Sequence, residues 1–321
     1  MRRASIALAA ALAFAGAAAH PALAGDKIAV GKGQGFAWTF TPLDIGIEAG
    51  IWKKYGFDEV TLVALAGDAK VQQAMFSGDI AFAAAGGPGM AFAAKGAASK
   101  AVAAFAGAPR NLSLAVGWDS TISGVAGVKG KKLAVSTVGS LSDWLAKRLA
   151  TIEGWGPDGV TTIAMGAMEP RLAAIKTGQI DGMVMATEVV YELEEKKLAK
   201  MLLNFGDVIP VFITHCLFAR NDLIEKNPDM VQRFVNGFFA TLDWMRAHKA
   251  ETVEISARVL KSTPAIVNRV YDEEMPMMSK DGTFDPKAVD LMADSFVEMS
   301  VLDKKPQPAD MIVDRFVPAK P

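Results

Sequence analysis

One cysteine, Cys216, stands in 321 residues, so no disulfide can form within the chain and its stability must come from a packed core. Net charge is almost absent: 34 Lys and Arg face 35 Asp and Glu, leaving −1. No basic excess of the kind that draws a protein to nucleic acid is present. Histidine is scarce as well. His20 falls in an apolar N-terminal segment, His248 on a charged helix, and His215 beside Cys216 on an apolar strand. Zinc-ligand spacing, a Gly-x-Ser-x-Gly elbow and a P-loop are all missing from the sequence. Gly31-Lys32-Gly33-Gln34-Gly35 has neither the Gly-Lys-Ser/Thr ending nor dinucleotide spacing, and reads as chain flexibility. The 16 methionines are dispersed, as core filler is. No cofactor, metal or catalytic constellation is therefore expected, and the chain does not read as an enzyme.

What the sequence does contain begins with Arg2-Arg3, an apolar run from Ile6 to Ala19, and Ala22-Leu23-Ala24 ahead of Gly25. This is the pattern of a secretory signal peptide over residues 1–24, cleaved after Ala24. The apolar run is shorter than the roughly 20 residues a membrane span needs. Loss of the two arginines takes the net charge from −1 to −3. The mature protein is expected in the periplasm. A chain of this length that is 51% hydrophobic has material for about two domains.

Two stretches echo each other: Ala74-Met75-Phe76-Ser77-Gly78-Asp79-Ile80 and Ala174-Ile175-Lys176-Thr177-Gly178-Gln179-Ile180. Each predicts a helix ended by a left-handed glycine and followed by a buried strand. Lys27-Ile28-Ala29-Val30 precedes the first and Lys132-Leu133-Ala134-Val135 the second, so one α/β layout is expected twice. Strands are predicted at 27–30, 59–63, 79–83, 101–105 and 112–116, then at 132–135, 160–164, 181–185, 201–205 and 212–219. Asn227-Pro228 opens a helix with Val231, Phe234, Val235, Phe238, Phe239, Leu242 and Met245 on one face. Further helices are predicted over 249–261, 263–274 and 285–299. Strands alternating with helices imply mostly parallel sheets, and such sheets bind ligands outside their strands' carboxyl ends. Three loop pairs leave those ends: 31–41 with 136–140, 67–68 with 166–168, and 85–88 with 186–188.

Several segments resemble the sulfonate-, taurine-, nitrate- and thiamine-precursor-binding proteins. They are Ile47-Glu48-Ala49-Gly50-Ile51-Trp52-Lys53-Lys54-Tyr55-Gly56-Phe57, Lys131-Lys132-Leu133-Ala134-Val135 with Gly139-Ser140, and Glu169-Pro170 leading to Ala174 and Gly178-Gln179-Ile180-Asp181. The resemblance as a whole extends over nearly all of the mature chain. The resemblance implies a type II two-lobed periplasmic binding protein, each lobe a mixed, mostly parallel sheet flanked by helices, with a ligand cleft between. It implies a monomer that captures a small anion or zwitterion (a sulfonate, a carboxylate or a thiamine-like pyrimidine) and hands it to the membrane permease of an ABC importer. Residues 25–116 and 217–321 are assigned to the first lobe and 117–216 to the second. Hinge crossings are expected near Val116–Ser120 and Ile213–Leu217. A sensor presenting ligand to a signalling receptor predicts the same fold. A pyrimidine-synthase-like enzyme is the third reading, weakened by the single cysteine and by export. Where many members of the family carry Glu-Pro, this chain has Glu188-Val189.

Candidate site residues follow from the loops. Thr137, Gly139 and Ser140 stand at a helix N-terminus, where free amides and the helix dipole favour an anion, or where Ser140 simply caps. Gly86, Gly87 and Pro88 offer backbone donors in the first lobe, or form a tight turn. Phe36 and Trp38 either wall an apolar part of a ligand or tuck into the core, and Thr39 could add a hydroxyl. Thr187 and Glu188 face them, Glu188 as a ligand acceptor or as a solvated first-turn residue. Arg110 reads as a surface arginine and His215 as a buried one.

Overall fold

A computed structural model describes residues 25–321; the expected signal segment lies outside the described residues. In chain order the strands are β1 (Asp26–Lys32), β2 (Phe57–Ala64), β3 (Phe82–Gly86), β4 (Ser99–Ala106), β5 (Leu112–Gly117), β6 (Lys132–Val135), β7 (Thr161–Ala164), β8 (Gly182–Ala186), β9 (Ala199–Asn204) and β10 (His215–Arg220). They form two five-stranded sheets, ordered β2-β1-β3-β10-β4 and β7-β6-β8-β5-β9. In the first sheet β1 runs parallel to β2 and β3, and β10 lies antiparallel between β3 and β4. In the second, β6 runs parallel to β7 and β8, and β5 lies antiparallel between β8 and β9. The doubled layout read from the echo is thus present strand for strand.

The echo itself does what glycine permits. Gly78 (φ 84°) and Gly178 (φ 70°) end the helices Asp68–Ser77 and Met168–Lys176 in the left-handed conformation that other residues enter only at a cost. Several boundaries shift by two or three residues: the strand predicted at 212–219 starts at His215, for example. The strand predicted at 79–83 starts at Phe82, because Ile80 still donates its N–H back to Ala74 and so continues the turn. Both central strands, Phe-Ala-Ala-Ala-Gly and Gly-Met-Val-Met-Ala, are buried at every position. Coverage on both faces explains their unbroken small and apolar composition.

A larger difference concerns Leu112–Gly117. Expected to complete the first lobe, it pairs instead with β8 and β9 in the second sheet. The chain therefore crosses between sheets at 107–111 and at 208–214, rather than at Val116–Ser120 and Ile213–Leu217. The helix Pro228–Ala247 buries the periodic face read from the sequence. Phe234 stacks on Phe82 at 4.1 Å and on Trp52 at 5.2 Å, fixing this helix to the first sheet. Each such buried side chain contributes roughly 1.5–3 kcal/mol. Helices Lys249–Leu260, Pro264–Glu274 and Pro286–Glu298 follow, each within a residue or two of its predicted span. The proline-rich tail returns to the edge strand β4, where Val313 N–H donates to Ala101 at 2.8 Å and blunts an otherwise open edge.

Candidate functional site

Two of the three predicted loop pairs, 31–41 with 136–140 and 85–88 with 186–188, line one cavity, and the third reaches it through 67–68 alone. A cavity between the sheets is lined by Gly33, Gln34 and Phe36 after β1 and by Ser136, Leu141 and Ser142 after β6. Gly67 and Asp68 follow β2, Arg171 follows β7, and Gly86 and Ala186 end β3 and β8. Asn111 and His215 close it from the two crossings. Its volume is about 50 Å³. One water needs roughly 10–15 Å³ by this measure, so the cavity has room for a few waters.

At one side of the cavity sits Asp68, the first residue of its helix and 4% exposed. One carboxylate oxygen accepts from Gly86 N–H at 2.8 Å and the other from Leu141 N–H at 2.8 Å. Leu141 opens the second lobe's helix Leu141–Ile152, so one side chain ties both lobes together. Burial raises the Asp68 pKa, and the two amide bonds oppose that shift. The neighbouring serines are satisfied among themselves. Ser136 Oγ donates to Ser140 Oγ at 2.9 Å, Ser142 Oγ accepts from Ser136 N–H at 2.9 Å, and Ser140 caps Asp143 N–H.

Opposite in charge is Arg171, 2% exposed. Its Nη1 donates to Val184 O at 2.7 Å and its Nη2 to Gly166 O at 2.6 Å, while Nε has no partner. Burial alone lowers its pKa to about 10, with no neighbouring carboxylate acting on it. The guanidinium thus remains charged near neutrality, and among the described residues its charge is unpaired. Lys32, the other cation of these loops, is matched by Asp44 at 2.8 Å.

His215 and Asn111 meet at 2.8 Å, where the amide donates to Nε2. Burial pushes the imidazole down to about 3, so the ring is neutral. Cys216 is fully buried and burial raises its thiol far above the ordinary range, the reverse of an activated nucleophile. The histidine–cysteine pair is arranged as core.

Of the predicted site residues, Phe36 and Gly86 line the cavity. Trp38 does not: its indole packs edge-on against Tyr271 at 5.9 Å, and it is 0% exposed. Thr39 is buried beside it. Glu188 is also buried, not solvated, and accepts the Trp38 N–H across the two lobes. Thr187 bonds Ser113 Oγ at 2.9 Å and Arg110 O at 3.1 Å, anchoring its helix to the first crossing. Thr137 packs against Gly67 and Gly139 against Phe92. Pro88 lies with Gly139 and Trp144 in a side groove. Arg110 is half-exposed, near Asp207. Asp68, Arg171, Gln34 and Asn111 were not singled out from the sequence as ligand contacts, although Asp68 and Arg171 stand in or just beyond loops flagged there.

Gly87 has a structural role. Its N–H donates to Thr214 at 2.8 Å, and a Cβ there would lie 1.9 Å from Ile213 O. Gly87→Ala is expected to destabilise the protein by about 3 kcal/mol or more, read as a lowered urea midpoint. A variant as stable as the parent would show that the crossing yields freely.

Two like lobes enclosing a cavity at their strand ends define the periplasmic-binding-protein fold. The chain belongs to the NMT1/THI5-like family, whose model matches residues 38–252. It is 25% identical over 292 residues to a Brucella abortus protein named as a binding protein, covering 88% of this chain and 89% of that one. Its fold is similar to the alkanesulfonate-binding protein SsuA of Xanthomonas axonopodis bound to MOPS, with TM-score 0.78, 19% identity, and 90% and 98% of the chains covered. It is also similar to a Candida albicans gene product described as having the generic periplasmic binding protein fold, with TM-score 0.76, 12% identity, and 90% and 96% covered.

Proposed function

We propose that this is an exported, monomeric solute-binding protein that captures a small organic anion between its lobes and delivers it to the permease of an ABC importer. Relatives named as binding proteins, and neighbours named for sulfonates and nitrate, support the binding and transport class. The observation that carries the ligand class is Arg171, a buried guanidinium facing the cavity with no carboxylate against it. Burying an unpaired charge is costly, and a ligand that supplies the counter-charge recovers that cost on binding. A sulfonate or carboxylate does so with two oxygens matched to the guanidinium's donors. A neutral pyrimidine would leave the charge unpaired, which places it behind the anions. Movement about the crossings at 107–111 and 208–214 would admit the ligand and close over it.

Native mass spectrometry of the protein purified from its own host tests this. The expected result is one bound small molecule, released chemically unchanged and carrying an acidic group. A neutral or purely cationic guest would overturn the assignment.

A further inference from the structure

We propose that Asp68 is a built-in occupant of the anion position at the N-terminus of the second lobe's helix, so that the site accepts one negative group, at Arg171, and rejects dianions. This rests on the anion reading above and goes beyond it. Leu141 N–H at the start of a 12-residue helix is the kind of donor that ordinarily receives an anion. Here it receives Asp68 Oδ2 at 2.8 Å, while Oδ1 takes Gly86 N–H. The carboxylate is 4% exposed, and a Cβ on Gly86 would stand 2.6 Å from it, so it fills its place without slack.

The second, independent observation is what remains open. Around the same cavity the side-chain atoms without partners are Arg171 Nε, a donor on the cation, His215 Nδ1, the N–H of a neutral ring whose Nε2 accepts from Asn111, and the acceptors Gln34 Oε1 and Asn111 Oδ1. Of the two unmet donors only Arg171 Nε carries a charge, and the unmet acceptors lie elsewhere. A guest with one anionic group and a remainder that donates hydrogen bonds, or is simply neutral, completes this set. A second anionic group would meet the Asp68 carboxylate and two amide oxygens in a low-dielectric space, where like charges repel strongly. Rejection of the wrong ligand by a placed repulsive group is how binding sites commonly gain specificity.

The test uses the ligand-stripped protein, with methanesulfonate and butyrate as monoanions and sulfate and succinate as dianions, each titrated by calorimetry at constant ionic strength. Wild type is expected to prefer the monoanions at least tenfold. In Asp68→Asn, which keeps the shape and removes the charge, the dianion-to-monoanion affinity ratio is expected to rise at least tenfold. Asp68→Ser serves in the same role if the asparagine variant does not fold, folding being judged by a cooperative thermal transition. A wild type that prefers dianions, or a folded variant with an unchanged ratio, overturns the role of Asp68 and leaves the anion reading standing. Absence of binding by all four anions, in wild type and in both variants, overturns both.

Discussion

Arg171→Met is expected to weaken binding of the anionic ligand by at least 100-fold while leaving a folded protein. Truncating one partner of a buried, hydrogen-bonded charge pair typically costs 2–5 kcal/mol, and about 3 kcal/mol corresponds to that factor. The side chain is 2% exposed, so no solvent would replace the lost charge. Its effect on the empty protein should be smaller. The variant loses the bonds to Val184 O and Gly166 O, but it also loses the burden of an unpaired buried charge. Arg171→Lys should recover only part of the affinity, because an ammonium cannot hold both carbonyls and still present a planar fork. Calorimetric titration with the ligand recovered from the host, beside thermal melts of the empty proteins, separates the two effects. A methionine variant that binds within threefold of wild type would remove Arg171 from the site.

Why this arginine escaped the sequence reading is instructive. Its helix, Met168–Lys176, carries Glu169, Arg171 and Lys176 and shows no clear amphipathic face, so Arg171 looks like any surface cation. Burial comes from carbonyls that the turn after β7, five residues earlier, and β8, thirteen residues later, deliver, and no local periodicity reports either bond. The usable signal was position: it falls one turn beyond the 166–168 loop already flagged as leaving a strand end. Asp68 is the same case, since residues 67–68 were flagged but the carboxylate was not assigned a task.

The two-sheet plan was legible because glycine-ended helices and their strands leave a local signature, and the same signature occurs twice. Sheet membership of β5 was not. Leu112–Gly117 is apolar and largely buried, and such a strand reads identically whichever sheet it enters. Only its pairing with Gly182–Ala186 decides, and that is a long-range fact. Trp38 shows a similar limit. An aromatic in a strand-end loop suits a ligand wall or a core equally well. Here it is claimed by Tyr271, more than two hundred residues away.

The same contact leads to the second large effect: stability is expected to fall as pH rises from about 5 to 8.5. Glu188 of the second lobe and Glu274 of the helix Pro264–Glu274 are both buried. Glu188 Oε2 and both oxygens of Glu274 have no hydrogen-bond partner. Burial pushes Glu188 up to about 7, Glu192 adds to this, and the Trp38 N–H opposes it. Burial raises Glu274 well above its ordinary value, with Glu188 and Glu273 adding. The nearby cation does not relieve them, since Arg269 is engaged by Glu273 at 3.0 Å and lies over the Tyr191 ring at 3.5 Å. Two such carboxyls hold a proton that the unfolded chain releases above about pH 4.5. The native state then binds more protons than the unfolded one, and stability falls as pH rises through the native values. His215 acts in the opposite sense, because its depressed pKa makes stability rise with pH, but this one group offsets only one of the two carboxyls, and only up to its unfolded value of about 6.5. Above 6.5 the carboxyls alone set the slope. A loss on the order of 2 kcal/mol lowers Tm by about 4 °C in a protein of this size. Glu274→Gln removes one of the two carboxyls, so it should flatten this fall. A wild-type Tm that holds level or rises from pH 6.5 to 8.5 would show that both carboxyls ionise without cost across the closed lobes.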